Sequence, residues 1–188
     1  MFIAEFYKVS EEQFKKDSIG LNATYEDIKL PIRATKGSAG YDFYSPIDIT
    51  LKANETIKIP TGIRCKIEDG YVLQIYPRSS MGFKYQMALL NTVGIIDADY
   101  FGADNEGHII VGIVNRGDKD LTIKKGDRFV QGIFYRFYLA KEEENTNIRQ
   151  GGLGSTKWCA HSSKDRALDS DSRGCGFKSC WALQTHMI

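Results

Sequence analysis

Between Gly40 and Tyr138 the apolar residues fall in short alternating runs cut by Gly, Pro, Asn and Asp, and no helical period intervenes. Gly40–Leu51 carries Tyr41, Phe43, Ile47, Ile49 and Leu51 on one parity. Ile57-Lys58-Ile59 and Ile63-Arg64-Cys65-Lys66-Ile67 alternate around Pro60-Thr61-Gly62, the pattern of half-buried strands flanking a turn. Tyr71–Tyr76, Met87–Leu90, Ile109–Val114, Leu121–Ile123 and Phe129–Tyr138 continue the series, with Lys124-Lys125-Gly126-Asp127 as a turn. Strands recurring at about 8–15 residues predict an all-β barrel or sandwich rather than βαβ units. A short N-terminal helix is expected at Ser10–Asp17, where Ser10 and Gln13 have capping-box spacing, and a second helical turn before Pro31.

Composition divides the chain. Ile and Val occur 25 times in residues 1–157 and once in residues 158–188, while three of four Cys and both Trp lie after residue 157. Residues 1–27 are expected to form an extension packed on a β domain of residues 28–140. A C-terminal arm then covers 141–157, and 158–188 form a disordered, non-native tail. Cys159, His161, Cys175 and Cys180 do not have the spacing of a zinc framework, and Cys65 reads as a small hydrophobe in a buried strand. A net charge of +1 gives no field for holding a polyanion, so no nucleic-acid partner is expected. No apolar run approaches the roughly 20 residues of a membrane span, and the N-terminus does not read as a secretory signal. A cytoplasmic protein without a membrane partner is the expectation.

Four segments combine residues suited to chemistry. Pro77-Arg78-Ser79-Ser80-Met81-Gly82 offers a guanidinium fork and two hydroxyls, a cradle for phosphate or else an ordinary polar turn. Asn91–Tyr100 places Asp97 and Asp99 after an apolar run, where a carboxylate can orient water or simply decorate a hairpin. Gly126–Gln131 sets Arg128 and Gln131 into an apolar strand, facing either a ligand or solvent. Arg149-Gln150-Gly151-Gly152-Leu153-Gly154-Ser155-Thr156 exposes backbone N–H groups beside an Arg, as an anion site or a linker.

Taken in order, these segments resemble the trimeric deoxyuridine triphosphatase (dUTPase) family across residues 28–156. Leu30-Pro31 through Gly40-Tyr41-Asp42 is similar to its first motif, Pro77–Gly82 to the second and Gly94–Gly102 to the third. Gly126–Gln131 is similar to the fourth and Arg149–Thr156 to the fifth. The resemblance implies a jelly-roll-like fold and a homotrimer with active sites at subunit interfaces. It also implies Mg²⁺-assisted hydrolysis of dUTP to dUMP and pyrophosphate, with the metal held by substrate phosphates and water rather than by protein ligands.

By the same resemblance, Arg78, Ser79, Ser80 and Gln131 bind phosphates, and Asp97 activates the water that attacks the α-phosphorus. Asn91, Gly94, Ile95 and Ile96 belong to a hairpin that receives uracil through its backbone. Tyr100 packs under the deoxyribose and excludes a ribose 2′-hydroxyl. The arm of another subunit brings Arg149 to the γ-phosphate, with Leu153, Gly154, Ser155 and Thr156 closing the site.

Three departures stand out: Leu153 replaces the usual Phe, Lys157 stands where Gly often ends the motif, and Ala103–Gly107 lengthens the segment after the third motif. The inserted residues read as a solvated turn. Two rivals share the fold. One is a dCTP deaminase, whose carboxylate position falls on Gly112 when the chain is aligned on Asn115. The other is a dUTPase-like regulatory protein with subordinate hydrolysis.

Overall fold

The computed structural model describes residues 2–141, 149 and 151–152. Expectations for Leu153, Gly154, Ser155, Thr156 and residues 158–188 lie outside them. Among the described residues, strands dominate: β1 (Ala4–Lys8), β2 (Ile32–Arg33), β3 (Tyr41–Tyr44), β4 (Ile49–Leu51), β5 (Thr56–Pro60) and β6 (Ile63–Ile67) fill the first part. Then come β7 (Tyr71–Pro77), β8 (Met87–Leu89), β9 (Gly94–Ile96), β10 (Ile110–Asn115), β11 (Leu121–Ile123) and β12 (Arg128–Arg136). Helices α1 (Glu11–Asp17) and α2 (Ser79–Tyr85) are short, and 3₁₀ turns cover Tyr25–Asp27 and Ala98–Gly102. The largest sheet has the order β2-β3-β12-β7-β9; β5-β10-β8, β1-β6 and β11-β4 complete the jelly-roll-like arrangement.

The alternation seen in sequence becomes burial where strands face the interior. In β10, Val111, Ile113 and Asn115 point inward between half-exposed neighbours, and in β6 Ile63, Cys65 and Ile67 do the same. Cys65 is 1% exposed, and burial pushes its thiol up to about 12, which suits packing and not nucleophilic chemistry. Strand β12 departs from alternation: Phe129 and Val130 are both fully buried, because a register shift between Arg128 and Val130 inserts one extra residue opposite β3. Gly40–Leu51 is not one strand, since residues 45–48 separate β3 from β4.

Helix α1 starts at Ser10, whose Oγ accepts from the Gln13 N–H at 3.1 Å. The reciprocal half of a capping box is absent. Glu106 accepts from the Ser10 N–H at 2.8 Å and from its Oγ at 2.6 Å, while the Gln13 side chain turns to Asp17 at 2.7 Å. Those bonds to Ser10, with Arg64 nearby, hold the Glu106 carboxyl below the usual carboxylate range. The inserted segment is therefore not a solvated turn. Ala103, Gly107 and His108 are buried, and Gly107 sits at φ +69°, where a Cβ would lie 2.5 Å from the Tyr100 carbonyl oxygen.

His108 joins the helix to the sheets. Its Nε2 accepts from the Gly62 N–H at 2.8 Å, so Nδ1 carries the proton and donates to Asp17 Oδ2 at 2.6 Å. Gly62 sits at φ +75°, and a Cβ there would lie 2.3 Å from Ile28 Cδ1, so the turn between β5 and β6 requires glycine. Among the described residues no helix is long and apolar enough to cross a membrane.

Burial holds the His108 imidazole below its usual 6.5, opposed by Asp17. The unfolded ring therefore takes up a proton at a pH where the folded ring does not. Stability from this site is present above about pH 6.5 and is lost as pH falls toward the depressed folded value. Thermal melts followed by circular dichroism are expected to show the midpoint dropping between about pH 7 and pH 5. The drop should be shallower in His108→Gln.

Candidate functional site

Two polar clusters stand on the large sheet. The first forms where β12 passes between β3 and β7. Asp42 is 5% exposed and bound by two cations: Arg78 Nε donates to Oδ1 at 2.7 Å and Arg128 Nη1 to Oδ2 at 3.0 Å. A carboxylate this deep persists because both oxygens are engaged by charged donors. The bulge in β12 puts Arg128, rather than Phe129, on the face that Gln131 shares with Asp42. Gln131 is cross-strand from Asp42 on one side and Tyr76 on the other, and its Nε2 donates to the Pro77 carbonyl at 3.3 Å. It lies over Gly40, where a Cβ would fall 2.5 Å from Gln131 Oε1. Gln131 is thus half-buried against Pro77 and Gly40 and not turned out to solvent by alternation.

The segment after Arg78 is a helix, not the tight turn its Ser and Gly content suggests. Arg78 is the N-cap of α2, but its guanidinium, a donor only, cannot accept from the helix amides and binds Asp42 instead. Ser79 and Ser80 begin the helix with exposed side chains, whereas the Met81 and Gly82 N–H groups already donate to the Arg78 carbonyl. Two hydroxyls and the Arg78 and Arg128 guanidiniums make a surface suited to anionic oxygens.

The second cluster follows β9. Asn91–Tyr100 is not a two-stranded hairpin: β8 pairs with β10 whereas β9 pairs with β7, so the chain crosses between sheets. Asn91 and Ile95 are exposed, Gly94 is half-buried against Ile75, and Ile96 is buried. Asp97 caps the 3₁₀ turn that carries Tyr100, which is 5% exposed. Burial raises the Tyr100 phenol above its usual value, so the hydroxyl stays protonated at neutral pH. Arg149 bridges the carboxylates: Nη2 lies 2.7 Å from Asp97 Oδ2, Nε lies 2.8 Å from Asp99 Oδ1, and the guanidinium stands 5.6 Å from the Tyr100 ring centroid.

The two clusters occupy opposite ends of β7. Register pairs Ile96 with Leu73, so Asp97 leaves the sheet one step beyond that pair, whereas Arg78 follows Pro77 at the other end. At about 3.3 Å per residue this separates them by roughly 20 Å along the strand. Asp42 was quoted from sequence only as the end of the first motif, with no role, and Asn105 was not singled out. Asp42 carried a signal, a lone charge between Tyr41 and Phe43. Asn105 carried none beyond lying in the insertion. A Cβ at Gly112 on β10 would stand 2.8 Å from Leu90 Cδ1, the movable end of an exposed side chain. Among the described residues no group of three or more His, Cys, Asp or Glu could hold a metal ion.

Residues 26–157 match the family profile of dUTPase. The deoxyuridine 5′-triphosphate nucleotidohydrolase of Lactococcus lactis subsp. lactis is 42% identical over 132 residues, covering 69% of this chain and 88% of that protein. The same-named protein of Haemophilus ducreyi is 40% identical over 141 residues, covering 71% and 90%. A crystal structure of dUTPase from Streptococcus mutans superposes with a TM-score of 0.59 at 33% identity, covering 72% of this chain and 97% of that one.

Asp42→Ala leaves Arg78 and Arg128 facing each other without their shared carboxylate. Water reaches both guanidiniums, so the loss falls below that of a fully buried pair. Urea unfolding is expected to show destabilisation of about 1–3 kcal/mol.

Proposed function

The chain belongs to the dUTPase family and hydrolyses dUTP to dUMP, and from that premise we propose that Asp97 is the general base of a site shared between copies of the chain. The observation carrying this reading is the separation of the clusters. A triphosphate gripped at Arg78 cannot present its α-phosphorus to the same chain's Asp97 roughly 20 Å away. A neighbouring copy must supply the other half, which supports a homotrimer with sites at its interfaces.

In that assembly Arg78, Ser79 and Ser80 bind phosphate oxygens, and Gln131 adds a polar contact beside Arg78. Asp42 orients Arg78 so that the guanidinium meets the nucleotide already placed, with little reorganisation as charge develops. Asn91, Gly94, Ile95 and Ile96 receive the uracil along the β8–β9 crossing, and Tyr100 stands beneath the sugar. Arg149, which bridges Asp97 and Asp99, exchanges those carboxylates for phosphate oxygens as the nucleotide enters. That exchange frees Asp97 to take a proton from the attacking water. Leu153, Gly154, Ser155 and Thr156 complete the closure.

The site's carboxylates are engaged by arginines, Asp42 by Arg78 and Arg128 and Asp97 and Asp99 by Arg149. This donor set fits a Mg²⁺ ion that takes its ligands from triphosphate oxygens and water, as Mg²⁺ commonly does. Bound in that way, the ion would neutralise phosphate charge. A cytoplasmic setting, where dUTP is formed, agrees with this reading.

Asp97→Asn is expected to bind dUTP while kcat falls by about 10²–10⁴. Arg78→Ala should bind the nucleotide poorly. Mixing the two inactive variants after partial unfolding and refolding should restore pyrophosphate release, because some interfaces then pair an intact Asp97 with an intact Arg78. Absence of any restored turnover in mixed assemblies would exclude the shared site, and a monomeric mass would do so directly.

A further inference from the structure

Asn105, in the insertion after the third motif, touches two parts of the site at once. Its Nδ2 donates to Tyr100 Oη at 2.8 Å and reaches the His108 carbonyl at 3.4 Å, while Tyr100 Oη itself donates to that same carbonyl at 2.8 Å. The phenol is thereby held from both sides. The other face of the carboxamide lies against Gly152, where a Cβ would stand 2.8 Å from Asn105 Cγ and 3.0 Å from Oδ1. Asn105 Oδ1 is buried there and has no hydrogen-bond partner among the described residues. Arg149, three residues before Gly152, covers the ring of the same Tyr100.

The insertion is anchored independently of the nucleotide. Glu106 is bound to Ser10, Gly107 is wedged against the Tyr100 backbone, and the following His108 is locked by Asp17 and Gly62. A carboxamide carried on so fixed a segment sets where the Tyr100 hydroxyl stands and how closely Gly152 approaches.

We propose that Asn105 is a positioning residue for sugar selection, fixing Tyr100 against the deoxyribose through its hydroxyl and seating the glycine-rich arm through Gly152. The proposal rests on the reading of Tyr100 as the residue beneath the sugar. Rejection of a ribose depends on a ring that cannot yield to the additional 2′-hydroxyl. A Tyr100 tethered only to the His108 carbonyl yields more easily. The arm contact adds a second consequence: closure presses Gly152 onto the group that holds Tyr100, so sugar fit and arm docking act on one side chain. The contact is made here by the arm of the same chain.

The test compares kcat/KM for dUTP and for UTP in the full chain with Mg²⁺, for wild type, Tyr100→Leu, Asn105→Ala and their combination. Asn105→Ala is expected to lower the dUTP-over-UTP preference by about 3- to 10-fold, the scale of one lost hydrogen bond. It should lower the preference no further when Tyr100 is already Leu, because the groups act as a unit. Additive losses, or an unchanged preference in Asn105→Ala while Tyr100→Leu loses it, would overturn the role of Asn105 and leave that of Tyr100 standing. An unchanged preference in Tyr100→Leu would overturn both.

Arm seating is read separately. Gly152→Ala is expected to raise KM for dUTP in wild type and to have little effect in Asn105→Ala, where the methyl fills the space left by the carboxamide. An equal rise in both backgrounds would overturn the contact. Because Tyr100 retains its bond to the His108 carbonyl, Asn105→Ala should fold, which circular dichroism checks.

Discussion

Strand β12 is paired along both edges, with β3 on one side and β7 on the other, and this double pairing governs what the polar residues near it can do. A central strand has both backbone edges paired, so its side chains meet those of both neighbours on the sheet faces. Phe129 and Val130 take the interior, and the bulge that lets both be buried turns Arg128 toward Asp42. Arg78, at the end of β7, meets the same carboxylate. The charged cluster is thus a consequence of sheet order and one inserted residue. It also fixes where the Arg78 guanidinium stands.

A second network gives the Tyr100 turn its rigidity. Asp17 from α1, His108 from the lead-in to β10 and Gly62 from the β5–β6 turn are joined by short bonds within a buried region. The carbonyl of His108 receives the Tyr100 hydroxyl. Removing a group from such a network leaves another buried polar atom without its partner, so the members hold one another in place. The N-terminal segment contributes directly: Phe6 packs on Tyr41, Phe43 and Phe134, and Phe14 is 1% exposed beneath α1. That segment, far in sequence from the polar clusters, supports the turn that carries Tyr100.

Much of the β framework was legible from alternation. Ile63–Ile67 and Leu121–Ile123 were anticipated with their observed bounds, and the N-terminal helix with its Ser10 cap. Other elements were not. Ser79–Tyr85 looked like a turn because Ser and Gly carry no apolar period, yet Met81 anchors one helical turn against the core. The Asn91–Tyr100 stretch looked like a hairpin because local sequence cannot show that β8 and β9 pair with different partners. The inserted residues looked solvated because Asp, Asn and Gly favour turns, while three of their contacts come from far along the chain: Ser10, Arg64 and Gly152.

What the sequence by itself determined was the alternation that makes strands, the turns that separate them and the ordered motifs that carry the family's chemistry. Each is encoded over a few residues, because backbone conformation and side-chain direction repeat locally. Only the tertiary structure decided that Asp42 joins Arg78 and Arg128, that Glu106 completes the cap of a distant helix and that Asn105 holds Tyr100. Those contacts depend on register and sheet order, through which burial makes an unpaired polar group costly and so selects the partners.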